Sequence, residues 1–328
     1  MVYLSKKAIK GQTYYYAVKS LRLPNGKGIT LQKLLGKKPV QAKNLEAAHA
    51  AFFRQKEKEA LTSFALKSYK AGSVFSEEEI EKAECLKVDY QALLKSLSRA
   101  DHKDLFDRFT ANFTYESNAI EGSSLTLKDV AIVMFENRVP KGKDLREVFE
   151  TRNSRKVVDR ILKKKFDVTE KDIIRMHKMF MENIDDRLGY KQWPNKILGS
   201  TVELTPPEKV KREMAALIKW FEARSKDMHP LQLAALVHGK FEKIHPFADG
   251  NGRVGRFIAI TLLVNQGYPP LIIRKTQRDA YIKCLDDFHR GYATNLERFF
   301  LEKYKKTFEN FFAGYLKYIK PAQAARRE

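Results

Sequence analysis

A chain of 328 residues, 43% hydrophobic and 31% charged, is long enough for one large domain or two smaller ones and has the composition of a soluble globular protein. No apolar run approaches the roughly 18–20 residues of a membrane span, and the opening MVYLSKKAIK lacks the apolar core of a signal peptide. Cys85 and Cys284 are the only cysteines, which argues against a disulfide framework or a cysteine metal site and sets the expectation of a reducing, cytoplasmic setting. The net charge of +22 is uneven: residues 1–45 hold ten Lys or Arg and no Asp or Glu. Such a segment attracts nucleic acid, anionic surfaces or polyphosphates, and no nucleic-acid motif chooses among them.

In chain order, the first forty residues predict strands. VYLSKKAI, QTYYYAVKSLR and ITLQKLLG are rich in β-branched and aromatic residues, with Gly11 and the turn signal LPNGKG between them. They suggest a small antiparallel meander with Tyr14 and Tyr16 on one face and Tyr15 on the other. Tyrosines so placed either stack on bases or pack on the next helix. After Pro39 the spacing turns helical, over 41–68 and 77–98. SEEE at 76–79 has the capping-box form, while TLKD at 126–129 and TEKD at 169–172 have the looser form ending in aspartate. Further helices are predicted near 103–121, 127–138, 143–165, 170–183, 207–225, 230–243, 252–266, 277–290 and 295–318. RLGYKQWPNKILGSTVELTP at 187–206 interrupts them and predicts a hairpin or extended flap. The fold class is mainly α, with a small N-terminal antiparallel sheet and a central hairpin.

Residues 245–256, HPFADGNGRVGR, concentrate the chemistry, and an apolar helical run, FIAITLLV, follows at once. His245 carries an imidazole, the side chain best suited to the role of base toward a hydroxyl. Asp249 is a hard oxygen ligand suited to Mg²⁺ bridging phosphates. The amides around Gly250, Asn251 and Gly252, with the Asn251 side chain, can hold a phosphate as charge develops on it. Arg253 and Arg256 can neutralise it. Cations in the first turn of a helix stand against its dipole, at a cost of up to about 1 kcal/mol. Two on one face therefore call for an anion, a polyphosphate being the obvious one. A helix N-terminus with a structural histidine and an Asp or Asn cap is the plainer alternative. His238 has no third ligand spaced to join it and His245 at a metal, and reads as a core or supporting histidine.

This run resembles the Fic family signature, H-P-F-x-[D/E]-G-N-G-R-x-x-R, at every fixed position. LAALVHGKFEKI before it and GYPPLIIRKTQRDAYIKCL after it resemble the family's surroundings, so the likeness covers residues 100–300. The resemblance implies a Fic-type helical bundle that transfers AMP from ATP to a hydroxyl side chain of a protein, with Mg²⁺ at Asp249 and His245 as base. It places nucleotide contacts at Gly250, Asn251, Gly252, Arg253 and Arg256. It makes the segment 187–206 a flap that pairs with a target protein by strand addition, with Leu198, Gly199, Ser200 and Thr201 over the nucleotide. Tyr281 and Ile282 fall where relatives line the adenosine pocket, often with two tyrosines. His289 falls where some carry an asparagine facing adenine. Both are departures from the family pattern.

SNAIEG at 117–122 resembles the family's inhibitory motif, [S/T]-x-x-x-E-[G/N], placed before the catalytic motif. By that match Glu121 pairs with Arg256 and blocks the γ-phosphate position. The residues carry an argument of their own. Ser117 and Glu121 share a helical face and Gly122 reads as a helix C-cap. A glutamate at the negative end of one helix and an arginine at the positive end of another would relieve each other. A solvated glutamate at a frayed helix end is the plainer alternative. In some relatives the same glutamate helps water remove AMP, and dimers are common, though no interface is legible here. The expected organisation is a basic β element at 1–40, a helical region at 41–100, a catalytic domain at 101–318 that includes the inhibitory helix, and a tail at 319–328. The alternative makes the basic sheet dominant, as a nucleic-acid-binding or regulatory module.

Overall fold

The structure, a computed structural model, describes residues 1–38, 44–197 and 202–318. Three strands open the chain: β1 (Val2–Ile9), β2 (Gln12–Arg22) and β3 (Gly28–Gly36). They pair antiparallel in the order β1-β2-β3, with Val2 opposite Lys19 and Ala17 opposite Lys33. Lys10 and Gly11 both take positive φ, as a two-residue hairpin turn between right-twisted strands demands. Alternation then sorts the side chains. Lys19 reaches Glu57 at 2.6 Å and Lys33 reaches His49 at 3.1 Å, so their face meets the following helices. Tyr15 shares that face, and Tyr14 and Tyr16 stand on the other.

The helices follow the predicted periodicity closely. They are α1 (Leu45–Ala48), α2 (Ala50–Ser68), α3 (Glu77–Ser96), α4 (Arg99–Ile120), α5 (Leu127–Ala131), α6 (Leu145–Leu162), α7 (Glu170–Met181), α8 (Pro207–Arg224), α9 (Pro230–Ile244), α10 (Asn251–Asn265), α11 (Arg278–His289) and α12 (Ala293–Thr307). α5 and α12 each run on into a π-helical turn, at Ile132–Glu136 and Phe308–Ala313. Ser76, Ser98, Thr126, Asp144 and Thr169 each cap a helix through a side-chain oxygen, a contact worth about 1 kcal/mol. The complete capping box closes at Thr126 and Asp129, not at SEEE. Glu79 has the right spacing, but its carboxylate is taken by Lys305.

α9 and α10 form the centre. Both are buried on nearly every face, as their almost continuous apolar sequence requires. α6, α7, α8, α11 and α12 pack around them. Phe180, Phe241, Phe257 and Phe300 are fully buried in this core, each contributing about 1.5–3 kcal/mol on leaving water. α3 joins the same core through Ile80, Ala83 and Tyr90. Its buried Glu84 accepts from Tyr268 and faces His229 at 3.4 Å, which satisfies a charge that could not otherwise stay inside. Among the described residues no helix is long and apolar enough to cross a membrane.

The segment 187–206 is extended where it is described, and residues 198–201 lie outside the described residues. Among the described residues of 187–206 there is no hairpin, only a bridge from Tyr190 to Phe247. The segment bonds to the catalytic loop instead of to itself. Lys191 N–H donates to the Pro246 carbonyl at 2.8 Å, Asn195 Nδ2 to the Phe247 carbonyl at 2.8 Å, and Thr205 N–H to the Lys243 carbonyl at 3.2 Å. Pro194 further lacks the N–H that a strand ladder needs.

Candidate active site

The loop between α9 and α10 is fixed from several sides. His245 ends α9 in the left-handed region, φ 49° and ψ 60°, a conformation that costs a non-glycine residue roughly 1–2 kcal/mol. Its N–H still bonds to the Phe241 carbonyl at 2.8 Å. Phe247 is buried, with the His177 ring stacked on it at 3.8 Å. Burial pushes His177 down to about 4, so the ring is neutral near pH 7. His177 Nε2 lies 3.1 Å from the Asp249 carbonyl and holds it as a neutral donor. Gly250 takes φ 79°, and a Cβ there would come within 3.2 Å of Met181 and Phe180. Asn251 closes the loop: its Oδ1 accepts from Phe247 N–H and its Nδ2 donates to the Phe247 carbonyl, both at 2.8 Å. Both its polar atoms serve the loop, and the first amides of α10, which have no partner within the helix, remain for an anion.

A cavity of about 210 Å³ opens over this helix end. It brings together His245, Asp249, Gly250, Asn251, Gly252, Arg253, Arg256, Glu121, Tyr281 and Ile282, all expected from the sequence. His289 is buried but does not line it. Ser117 stands behind Arg256, and Gly122 lies just past the end of α4. Leu198, Gly199, Ser200 and Thr201 lie outside the described residues.

Two arginines meet carboxylates. Arg253, 5% exposed, bonds to Glu150 at 2.9 Å, reaches Asp249 at 3.4 Å and lies over the Phe180 ring. Asp249 also binds Arg146 and accepts from Gly250 N–H at 2.5 Å. Burial pushes the Asp249 carboxyl up, but Arg253, the Gly250 amide and Arg146 outweigh it and hold it below its ordinary value. An ionised carboxylate facing the cavity suits Mg²⁺, which takes one or two carboxylates together with substrate phosphates. Among the described residues no group of three His, Cys, Asp or Glu gathers to hold a metal alone.

Arg256 lies in the second turn of α10, beyond the reach of the dipole argument. Its need for an anion comes from burial, since it is 3% exposed. Its guanidinium donates to Ser117 Oγ at 2.8 Å, to the Ser117 carbonyl at 2.9 Å and to Glu121 Oε1 at 2.8 Å. α4 presents Glu121 by ending in a Schellman turn, with Gly122 at φ 100°, Gly122 N–H on the Ala119 carbonyl and Ser123 N–H on the Asn118 carbonyl. Gly252 is needed for close approach: a Cβ there would collide with Glu121 Oε1. The Glu121 carboxylate therefore stands at the amino end of α10, where an anion is best held.

Four further residues complete the site, three of them without a signal in the sequence. Arg146, Glu150 and His177 come from helices far along the chain. Glu242, buried, faces His245 Nδ1 at 3.5 Å. Burial alone would push Glu242 up, but His245 and His238 outweigh it and its carboxyl sits below its ordinary value. His238 is fully buried with Nε2 at 2.7 Å from the Tyr281 hydroxyl, the supporting place expected for it. Glu242 could have been suspected, being one helical turn before His245.

A helical bundle with this loop between its two central helices has the Fic-type fold. A Fic-domain signalling protein from Bacteroides thetaiotaomicron shares it with TM-score 0.64 at 22% identity, over 71% of this chain and 96% of that one. Fic-1 from C. elegans does so with TM-score 0.62 at 18% identity, over 82% and 78%. The model of the Fic/DOC family matches residues 167–263. Protein adenylyltransferase Fic of Drosophila virilis is 31% identical over 238 residues, 70% of this chain and 47% of that protein. Its counterpart in Drosophila melanogaster is 32% identical over 204 residues, 60% and 40%. The chain is thus similar to Fic/DOC-family proteins over residues 167–263 and to protein adenylyltransferases, and it spans less than half the length of these relatives.

Proposed function

We propose that this chain is an autoinhibited protein adenylyltransferase, transferring AMP from ATP to a Ser, Thr or Tyr hydroxyl of a target protein with release of pyrophosphate. His245 takes the hydroxyl proton as the oxygen attacks the α-phosphorus, and Glu242 beside Nδ1 steadies the resulting imidazolium. The amides at the start of α10 hold the phosphate, and Arg253 and Arg256 neutralise it. Mg²⁺ bound at Asp249 would supply further charge for the phosphates. Target protein lies along the segment 187–206, where the exposed Trp193 offers an apolar anchor; Trp193→Ala raising KM for target without changing ATP binding tests that placement.

The observation that carries the reading is Glu121 at the amino end of α10, bonded to the buried Arg256. ATP whose γ-phosphate needs Arg256 must displace that carboxylate. Incubation with labelled ATP tests this. Glu121→Gly should raise incorporation severalfold or more, and His245→Ala should abolish it in both backgrounds. Equal or lower labelling of Glu121→Gly would remove the inhibitory role, and labelling that survives His245→Ala would remove the catalytic one.

The reading extends to the reverse reaction, in which Glu121 orients a water toward the phosphorus of AMP on a modified protein. Self-labelled Glu121→Gly protein, with remaining ATP removed, is the probe. Wild type should release its AMP and a fresh Glu121→Gly sample should not. Equal release by both rules the role out.

A further inference from the structure

The N-terminal sheet leaves one face uncovered, and its chemistry is unlike the rest of the surface. Alternation places Lys7, Gln12, Ser20, Arg22, Thr30 and Gln32 together on the face opposite Lys19 and Lys33. Each of the six is exposed, and Tyr3, Ile9 and Leu34 are exposed beside them. Exposed lysines stand at both ends of the strands: Lys10, Lys37 and Lys38 at one, Lys27 at the other. Residues 1–38 contain no Asp or Glu. Among the described residues, Lys19 is the one basic side chain of this sheet with a carboxylate within reach, and it faces inward.

Exposed amide and hydroxyl side chains on a face, with cations at its ends, suit a polyanion whose interior carries donors and acceptors and whose rims carry phosphates. We propose that this face binds double-stranded DNA, with the sheet lying in the major groove. The dimensions agree. Three strands about 4.8 Å apart span about 10 Å, and the groove is about 12 Å wide. A sheet is an established reader of such a groove. Single-stranded nucleic acid fits worse, because it binds by stacking bases on open aromatic faces. Here the Lys7 ammonium lies 5.2 Å over the Tyr16 ring and that of Lys37 5.5 Å over Tyr14, so two of the three outward tyrosines already have cations on their faces and Tyr3 alone is left open.

The experiment measures anisotropy of a labelled 20-base-pair duplex of mixed sequence, titrated with the full chain over a range of salt. Three charge reversals on the sheet, Lys7→Glu, Lys27→Glu and Lys37→Glu, are compared with three on α8, Lys209→Glu, Lys211→Glu and Lys219→Glu. All six residues are exposed, so both triple variants should fold and label with ATP as their parent does. The general attraction of a chain of net charge +22 is the same in both variants. The sheet variant should lose affinity at least about tenfold more than the α8 variant and flatten the salt dependence by about three units of slope. Equal losses in the two variants overturn the proposal. So do tighter binding of a single-stranded 20-mer than of the duplex, a sheet variant that binds as the parent does, and no binding of duplex by the parent at low salt.

Discussion

The catalytic loop and the N-terminal sheet both collect cations, and they do so by opposite means. At the loop, Arg253 and Arg256 are 5% and 3% exposed, and each is matched to internal carboxylates, Glu150 and Asp249 for one and Glu121 for the other. In the sheet, Lys7, Lys27 and Lys37 are exposed, with no carboxylate within 4 Å among the described residues. A buried cation stripped of water costs several kcal/mol unless an anion faces it. An exposed lysine keeps its water and attracts phosphate mainly by releasing counterions. The first arrangement makes a site decided by competition between an internal and an external anion. The second makes an affinity graded by salt.

His245→Ala gives the largest effect, because it removes the proposed base: incorporation of labelled AMP in the Glu121→Gly background should fall about 10²–10⁴-fold. The contrast between the two regions is tested more directly by stability. Glu121→Gln keeps an acceptor for the buried Arg256 but removes the charge facing it, and should lower unfolding free energy by about 2 kcal/mol, less than a fully buried pair because Glu121 is itself 35% exposed. ATP should then raise the melting temperature of Glu121→Gln by more than that of the wild type, since the internal rival has lost its charge. The sheet reversals should move stability by no more than about 0.5 kcal/mol. If scanning fluorimetry finds the two regions equally sensitive, the distinction between them fails.

Much of this was legible in the sequence, for a physical reason. Helices are local, so three- and four-residue spacing marked each helix within a few residues, and Ser117, Glu121 and Gly122 announced their turn. The same locality explains the failures. Segment 187–206 has hairpin composition, but its hydrogen-bond partners are Pro246, Phe247 and Lys243, distant in sequence. Arg146 and Glu150 reach Asp249 and Arg253 from α6, a hundred residues earlier, with no pattern to link them. Burial corrected Arg256: the sequence suggested dipole conflict, whereas the structure shows desolvation.

A smaller effect concerns Arg146, which is 47% exposed and bound to Asp249, 32% exposed. It belongs to neither extreme. A pair this accessible is worth no more than about 1 kcal/mol. Arg146→Ala should therefore free the Asp249 carboxylate for a divalent ion and tighten it up to about fivefold. Electron paramagnetic resonance of free Mn²⁺ in the presence of ATP measures this without relying on turnover. Weaker Mn²⁺ binding in the variant would mean that Arg146 helps to build the site instead of competing for it.

Lys191 gives the sharpest test, because it is buried like the loop arginines but has neutral partners. It is 3% exposed, and its ammonium donates to Asn195 Oδ1 at 2.7 Å and to the Ile244 carbonyl at 3.5 Å. Burial pushes it down to about 8 from 10.5. Between those two values the unfolded chain holds a proton that the folded chain has released, so this group's contribution to stability rises with pH across that window. Below about pH 8 the folded protein bears the full cost of the buried charge. Lys191→Met carries no such charge at any pH. Relative to wild type, its melting temperature should therefore be highest at pH 7 and decline steadily from pH 8 to 10. A gap between the two proteins that stays constant over that range would mean that the ammonium is solvated after all, and that a buried cation in this protein does not need either a carboxylate or a lowered pKa.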